Sequence, residues 1–126
     1  MKKIITTSKA PAPIGPYNQA VLTGNTLYTS GQIALDPATG ELVVGDIKTE
    51  AQLVMQNLKA VLEEADMTFE NVVKTTIFLS DMNNFGTVNE IYGSFFNEDT
   101  APARETVAVK TLPKSVNVEI SVVAVK

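Results

Sequence analysis

Arg104 is the residue of this sequence whose surroundings best suit the binding of an anion. It follows Ala101-Pro102-Ala103, in which the proline restricts the backbone and the two small alanines leave room beside the guanidinium. An arginine held in this way can grip a carboxylate through two parallel N–H bonds, a geometry that lysine lacks. The spacing makes Arg104 a candidate for binding a carboxylate.

Glu119 is the acidic side chain that strand pairing would bring nearest to Arg104. If the chain on either side of the Leu112–Ser115 turn forms a hairpin, Glu119 lies opposite about Ala108 and shares a sheet face with Arg104, roughly 13 Å away along the strands. This outer face would carry Arg104, Thr106, Lys110, Asn117, Glu119 and Ser121. Two interpretations stay open, a solvated face with an incidental ion pair or a binding surface.

Few other residues offer chemistry. The chain has no Cys, His or Trp, which excludes thiolate nucleophiles, imidazole bases, disulfides and Cys/His zinc sites. It has no glycine-rich phosphate loop, and its acidic residues lack metal-ligand spacing. Gly15-Pro16-Tyr17 and Ser30-Gly31-Gln32 are typical of turns, and Lys74 and Lys110 are typical of solvated lysines rather than Schiff-base formers.

Length and composition predict one globular domain over residues 1–126. Hydrophobic residues make up 44% of the chain and charged residues 19%, which is enough for a packed core. The net charge of −4 and the scattered Lys and Arg residues argue against nucleic acid as a partner. No apolar run resembles a secretory signal or a membrane span, so we expect a cytoplasmic protein with no membrane contact.

The elements that must position these residues follow from periodicity and turn residues. Apolar residues at steps of three and four indicate helices, β-branched runs indicate strands, and Gly24-Asn25 is typical of a tight hairpin turn. The predicted order is a strand at 4–6, strands at 20–23 and 26–30, a helix at about 47–65 capped by Asp46, a strand at 72–79, a helix across 85–96, and hairpin strands at 104–111 and 116–125.

This order predicts an α+β fold in which two helices cover one face of a mainly antiparallel sheet. Strict alternation in the last third of the chain assigns Glu105, Val107 and Val109 to the core, together with the residues from Val118 to Ala124 that alternate with Glu119. A glutamate among core-facing valines has no explanation in this assignment.

Five segments, in order, carry a resemblance to a known family. They are Ala12–Ala20, Tyr28–Gln32, Thr87–Tyr92 with Asn89, Pro102-Ala103-Arg104, and Leu112-Pro113-Lys114 leading to Val118-Glu119-Ile120. Over essentially its whole length, the sequence resembles the reactive intermediate deaminase A (RidA) family of enamine and imine deaminases.

The resemblance implies a chorismate-mutase-like fold assembled as a homotrimer, with the sheets lining a central barrel and ligand sites between subunits. It implies hydrolysis of 2-imino acids or their enamine tautomers, such as 2-iminobutanoate and 2-iminopropanoate, to 2-oxo acids and ammonia. No cofactor or metal is implied.

The resemblance also implies roles for individual residues. Arg104 matches the arginine that binds the substrate carboxylate, Glu119 matches the acid that orients or activates water, and the matched cleft residues are Tyr17, Ser30, Gly31 and Asn89. Thr106 stands where many relatives carry a cysteine, so thiol chemistry is not required, and its backbone carbonyl can serve the ligand instead. Two alternatives remain: a regulatory protein that binds a 2-oxo acid without turnover, and, more weakly, an RNA-directed role.

Overall fold

The computed structural model describes residues 1–126 as six strands and two α-helices joined by loops and short 3-10 turns. The strands are β1 (Lys2–Ile5), β2 (Ala20–Thr23), β3 (Thr26–Thr29), β4 (Val72–Leu79), β5 (Ala103–Ala108) and β6 (Val118–Val125), and the helices are α1 (Ile47–Glu64) and α2 (Phe85–Gly93). Neither helix combines the length and apolar character needed to cross a membrane.

The six strands form one mixed sheet in the order β1-β2-β3-β6-β4-β5. Every neighbouring pair is antiparallel except β4 and β5, which are parallel. Residues of both helices join one sheet face in a cluster of 23 buried residues. The α+β class, the mainly antiparallel sheet and the placement of both helices on one face are therefore confirmed.

Helix α1 forms where its apolar periodicity predicts and ends one residue earlier than expected. Asp46 caps its start, since one carboxylate oxygen accepts from the Lys48 backbone N–H at 3.4 Å and the other from the Thr49 hydroxyl at 2.7 Å. The helix stops where Asp66 adopts a positive φ of 57°. Its buried side is continuous from Ala51 to Leu62.

Helix α2 is shorter than predicted, because it ends at Gly93 and the chain turns before Phe96. Phe95 and Phe96 still pack inward, with their ring centroids 5.3 and 5.2 Å from that of Phe69. Apolar residues that pack inward can keep a similar sequence spacing in a helix and in the turn that follows it. The spacing therefore did not mark the end of α2. The tight hairpin of β2 and β3 is confirmed, with Gly24 at a φ of +58° that suits a glycine.

The predicted hairpin of the last two strands is wrong. Strand β5 pairs in parallel with β4, and β6 pairs antiparallel with the other edge of β4. Alternation specifies which side chains share a face of one strand, but it does not identify the neighbouring strand. Helix α2 provides the crossover between two parallel strands, and residues 109–117 carry the chain past β4 to its far edge.

This topology reverses the faces predicted for β5. Arg104 and Thr106 pair with Thr75 and Ile77 and lie on the helix-covered side, whereas Glu105 pairs with Thr76 on the uncovered side. There the Glu105 carboxylate accepts from Lys74 Nζ at 2.9 Å. The glutamate among the valines is thereby explained, because its face is not the core.

Candidate active site

Glu119 lies on the uncovered face of β6, opposite Phe78 of β4. Backbone hydrogen bonds in both directions between Gln32 and Ile120 hold the segment after β3 against β6. The resulting depression, here called the glutamate cleft, has a volume of about 550 Å³. Its lining includes Tyr17, Ser30, Gly31, Pro113, Lys114 and Glu119, together with Ala12, Ile14, Ile33 and other residues of the same loops.

Burial raises the pKa of the Glu119 carboxyl above its ordinary value of 4.5, and no neighbouring charge contributes to the shift. A carboxyl group with a raised pKa exchanges protons closer to neutral pH than an ordinary glutamate does. The cleft therefore holds a group suited to accepting and returning a proton.

Two residues that line the same cleft are positioned by contacts with the loop of residues 6–19. The Tyr17 hydroxyl accepts from the Ile14 backbone N–H at 3.3 Å, and the Ser30 hydroxyl donates to the Asn18 carbonyl. Gln19, which is 2% exposed, fixes this loop from the protein interior. Its side-chain amide donates to the carbonyls of Thr7, Ala10 and Pro11 and accepts from the Thr7 N–H. Sequence reasoning missed this role of Gln19.

Arg104 lies in a second depression, here called the arginine cleft, with a volume of about 480 Å³. Its Nη1 donates to Asn89 Oδ1 at 2.6 Å, and its guanidinium carbon lies 5.5 and 5.3 Å from the ring centroids of Phe85 and Tyr92. These three partners occur at positions i, i+4 and i+7 of α2 and so lie on one helix face.

The contacts of Arg104 fix its plane and leave most of its donors free. A guanidinium has five N–H donors, and the Asn89 contact occupies one of them. Two aromatic rings stabilise the cation without using any donor. Tyr92 is itself fixed, because its hydroxyl donates to Thr75 Oγ1 at 2.9 Å, and burial raises its pKa. The arginine cleft is therefore suited to binding a carboxylate.

Thr106 lies on the same side of β5 as Arg104, two residues further along the strand. Its hydroxyl oxygen is buried and makes no hydrogen bond within the chain. It lines neither of the two clefts.

The structure thus gathers the predicted residues into two groups rather than one. Glu119, Tyr17, Ser30 and Gly31 line the glutamate cleft, whereas Asn89 and Arg104 line the arginine cleft. The expectation that Arg104 and Glu119 share a sheet face is wrong, because Arg104 faces the helices and Glu119 faces away from them. Within one chain these two side chains cannot contact the same small molecule.

Comparison with known proteins identifies the family of this chain. The family model described as endoribonuclease L-PSP matches residues 7–126. The chain belongs to this family. The family includes the RidA proteins, so the resemblance drawn from the sequence motifs is confirmed.

Individual relatives match over nearly their full length. A RutC family protein of Synechocystis sp. is 57% identical over 98% of this chain and 95% of its own. The mouse protein named 2-iminobutanoate/2-iminopropanoate deaminase is 50% identical over 100% of this chain and 93% of its own. The crystal structure of Escherichia coli TdcF with bound serine has a TM-score of 0.92 and 44% identity, covering 98% of each chain.

Phe85 and Tyr92 are two aromatic partners of Arg104 that sequence reasoning missed. Their helical spacing is typical of the buried face of a helix, which accounts for Tyr92 at 5% exposed but not for its contact with a cation. The available signal was a pair of aromatic residues on the helix that precedes a candidate anion-binding arginine.

Gly31 keeps space for the Glu119 carboxyl. A Cβ atom at this position would lie 2.7 Å from Glu119 Cδ, closer than two carbon atoms can approach. We predict that Gly31→Ala displaces the carboxyl and lowers turnover by about tenfold or more, since misplacement by 1 Å can cost far more than that. Steady-state kinetics and circular dichroism measure the two effects separately. Gly86→Ala is the matched control, because a Cβ there meets nothing within 4 Å, and its turnover should equal that of the unaltered protein.

Glu119→Gln should raise the melting temperature at pH 7. Burial raises the pKa of Glu119 in the folded state, so the folded protein binds the proton more tightly than the unfolded chain does. The stability contributed by this proton is complete at low pH and is lost as pH rises through the folded-state pKa. Glutamine mimics the protonated form and avoids this loss. The difference in melting temperature should therefore widen as the pH rises above about 4.5, the ordinary pKa of a glutamate, and a difference independent of pH would contradict the assignment.

Proposed function

We propose that this protein hydrolyses 2-imino acids, with 2-iminobutanoate and 2-iminopropanoate as substrates, to 2-oxo acids and ammonia. The observation that carries the proposal is the presence of two complementary half-sites in one chain. One presents an oriented arginine with free donors, and the other presents a desolvated carboxyl group. A mouse relative that is 50% identical is named for this activity.

We further propose that the active site forms between subunits of a homotrimer. The Arg104 and Glu119 side chains point to opposite sides of one sheet, so a complete site requires the arginine cleft of one subunit to meet the glutamate cleft of another. Exposed apolar side chains on the uncovered sheet face support the assembly, since a trimer would bury them. On this face Tyr28 is 52% exposed and Val107 is 45% exposed.

The proposed reaction requires little beyond orientation and one mobile proton. The Arg104 fork binds the substrate carboxylate and leaves the iminium carbon facing the Glu119 carboxyl of the adjacent subunit. A water oxygen attacks that carbon while Glu119 accepts a proton from the water. Glu119 then returns the proton to nitrogen and becomes a carboxylate again. The C–N bond breaks as ammonia leaves, and the Glu119 carboxylate takes the hydroxyl proton as the carbonyl group forms.

The remaining residues shape the cleft around these steps. The prolines and aliphatic side chains of the glutamate cleft suit a short apolar substrate side chain, and Tyr17, Ser30 and Gly31 complete its wall. Asn89 holds Arg104 in place. The Thr106 hydroxyl has no role in this scheme. Thr106 lies in the same strand as Arg104, and its backbone carbonyl is the group that we propose for contact with a ligand.

A coupled assay tests the proposal. Threonine dehydratase generates 2-iminobutanoate in the presence of this protein, and 2-oxobutanoate release is followed at low free amine. We expect release to accelerate with the concentration of this protein and to fall to the uncatalysed rate with Arg104→Ala. Unchanged release, together with saturable binding of 2-oxobutanoate, would instead support the alternative of a regulatory protein that binds 2-oxo acids without turnover.

We predict a molar mass near 40 kDa in solution, about three times the 13.5 kDa of one chain. The reason is that the sheet face opposite the helices carries exposed apolar side chains, which a trimer would cover. Multi-angle light scattering at micromolar concentration measures the mass directly. A mass of one chain would contradict both the trimer and the shared active site.

A further inference from the structure

Glu50 is a fully buried carboxylic acid that the proposed mechanism does not use. It lies in the first turn of α1 and is 0% exposed. One of its oxygens accepts from the backbone N–H groups of Asn117 and Val118 at 2.8 and 3.1 Å, and the other accepts from Asn117 Nδ2 at 2.9 Å. Every one of these partners is a donor, and no lysine or arginine lies within salt-bridge distance.

Such a group is costly to bury, because hydrogen bonds alone must replace its hydration. The start of a helix offsets part of this cost through its positive end. The residues next to Glu50 on the buried side of α1, Ala51 and Val54, are apolar and offer the carboxylate no hydrogen bond. The three donors thus point to what the carboxylate does: it fixes the backbone of residues 117 and 118.

Glu50 fixes the end of a segment, residues 113–118, that is strained near its start. Lys114 and Ser115 both have positive φ values, 55° and 57°, although neither is a glycine. Backbone in this region persists only when its surroundings hold it in place. The Asn117 side chain adds a second attachment, because its Oδ1 accepts from the Ser80 hydroxyl at 3.1 Å.

Both ends of this segment reach the glutamate cleft. Pro113 and Lys114 line the cleft directly, and Glu119 follows Val118 in the chain. We propose that Glu50 is a positioning residue of the active site, which acts through Asn117 and Val118 to set the location of the Glu119 carboxyl. This inference rests on the proposed function for its kinetic consequences but not for its structural ones.

A reciprocal exchange of amide and acid tests the proposal. Glu50→Gln places an amide N–H against the Asn117 amide, and Asn117→Asp places a carboxylate against the Glu50 carboxylate. In the double variant the glutamine oxygen accepts both backbone N–H groups while its nitrogen donates to the new aspartate. The second aspartate oxygen still accepts from Ser80. The double variant therefore restores every hydrogen bond with the side-chain donor and acceptor exchanged.

We expect each single variant to lower kcat by about tenfold or more while KM changes less than twofold, because Arg104 in the other cleft is untouched. The double variant should recover kcat to within about threefold. Val61→Ala, a buried change on the same helix far along from Glu50, is the control for lost stability alone, and its kcat per folded molecule should be unchanged. Single variants with unaltered kcat, or a double variant with no recovery, would overturn the proposal.

A readout without substrate separates this inference from the proposed function. Carbon-13 NMR follows the titration of the Glu119 carboxyl, and hydrogen exchange follows the Asn117 and Val118 amides. We expect Glu50→Gln to shift the Glu119 titration toward lower pH and to speed exchange of both amides, with both effects reversed in the double variant. If these changes occur in a protein that has no deaminase activity, the proposed function fails and the positioning role stands. An unchanged Glu119 titration would overturn the positioning role regardless of activity.

Discussion

Mixing two inactive variants, Arg104→Ala and Glu119→Ala, should restore activity. Each parent alone should lose activity almost completely, because every cleft lacks either the carboxylate anchor or the proton carrier. In mixed trimers each cleft takes its arginine from one subunit and its glutamate from the next. Random mixing of equal amounts then leaves about one quarter of the clefts with both residues intact. Activity near that fraction of the unaltered protein is the expected result.

The experiment depends on subunit exchange, so exchange is measured first with differently tagged parents. Trimers reassembled from one parent alone serve as the control and should stay inactive. If exchange is complete and the mixed sample is also inactive, the two residues act from one chain or one of them is not catalytic. Either result would contradict the two-chain site, which the opposite sheet faces of Arg104 and Glu119 otherwise require.

Arg104→Lys should reduce kcat/KM by about 100-fold or more, even though the positive charge is kept. Lysine cannot form two parallel hydrogen bonds to a carboxylate. It also loses the planar surface that lies against Phe85 and Tyr92 and the N–H that Asn89 accepts. Steady-state kinetics with 2-iminobutanoate measure the effect, and a melting curve confirms that the fold is kept.

The matched control for this change is a replacement of lysine by arginine at a distant site. Lys59 lies on the exposed side of α1 in a weak 3.9 Å ion pair with Glu63. Lys59→Arg should leave both kinetics and melting temperature unchanged. Near-normal turnover of Arg104→Lys would remove Arg104 from the proposed site.

The elements that the sequence predicted correctly are those whose signals are local. The cap at Asp46 and the periodicity of α1, the run from Val72 to Leu79 and the Gly24-Asn25 turn each depend on a few neighbouring residues. They kept their predicted places, within a residue or two at the ends.

The arrangement of the last strands depended on information that alternation does not contain. Arg104 and Glu105 alternate equally well beside an antiparallel or a parallel neighbour, and only the pairing with β4 decides which of them faces the helices. The site was affected in the same way. Motifs selected Arg104 and Glu119 as candidates, which stays a prediction, but their placement in two separate clefts is a property of the topology. Glu50 was missed because a lone acid in an amphipathic helix is normally solvated.

Strand β6 is the last element of the chain, yet it lies between β3 and β4 near the middle of the sheet. Until it is present, the two halves of the sheet have no hydrogen bonds to join them, and the edges of β3 and β4 both stay open. A chain without β6 therefore cannot complete its core. Loss of β6, which has eight residues, would leave two parts of the sheet that no hydrogen bonds join. The exposed strand edges of both parts would be prone to aggregation. The strand that closes the fold also carries Glu119, so a chain without β6 lacks the proposed proton carrier.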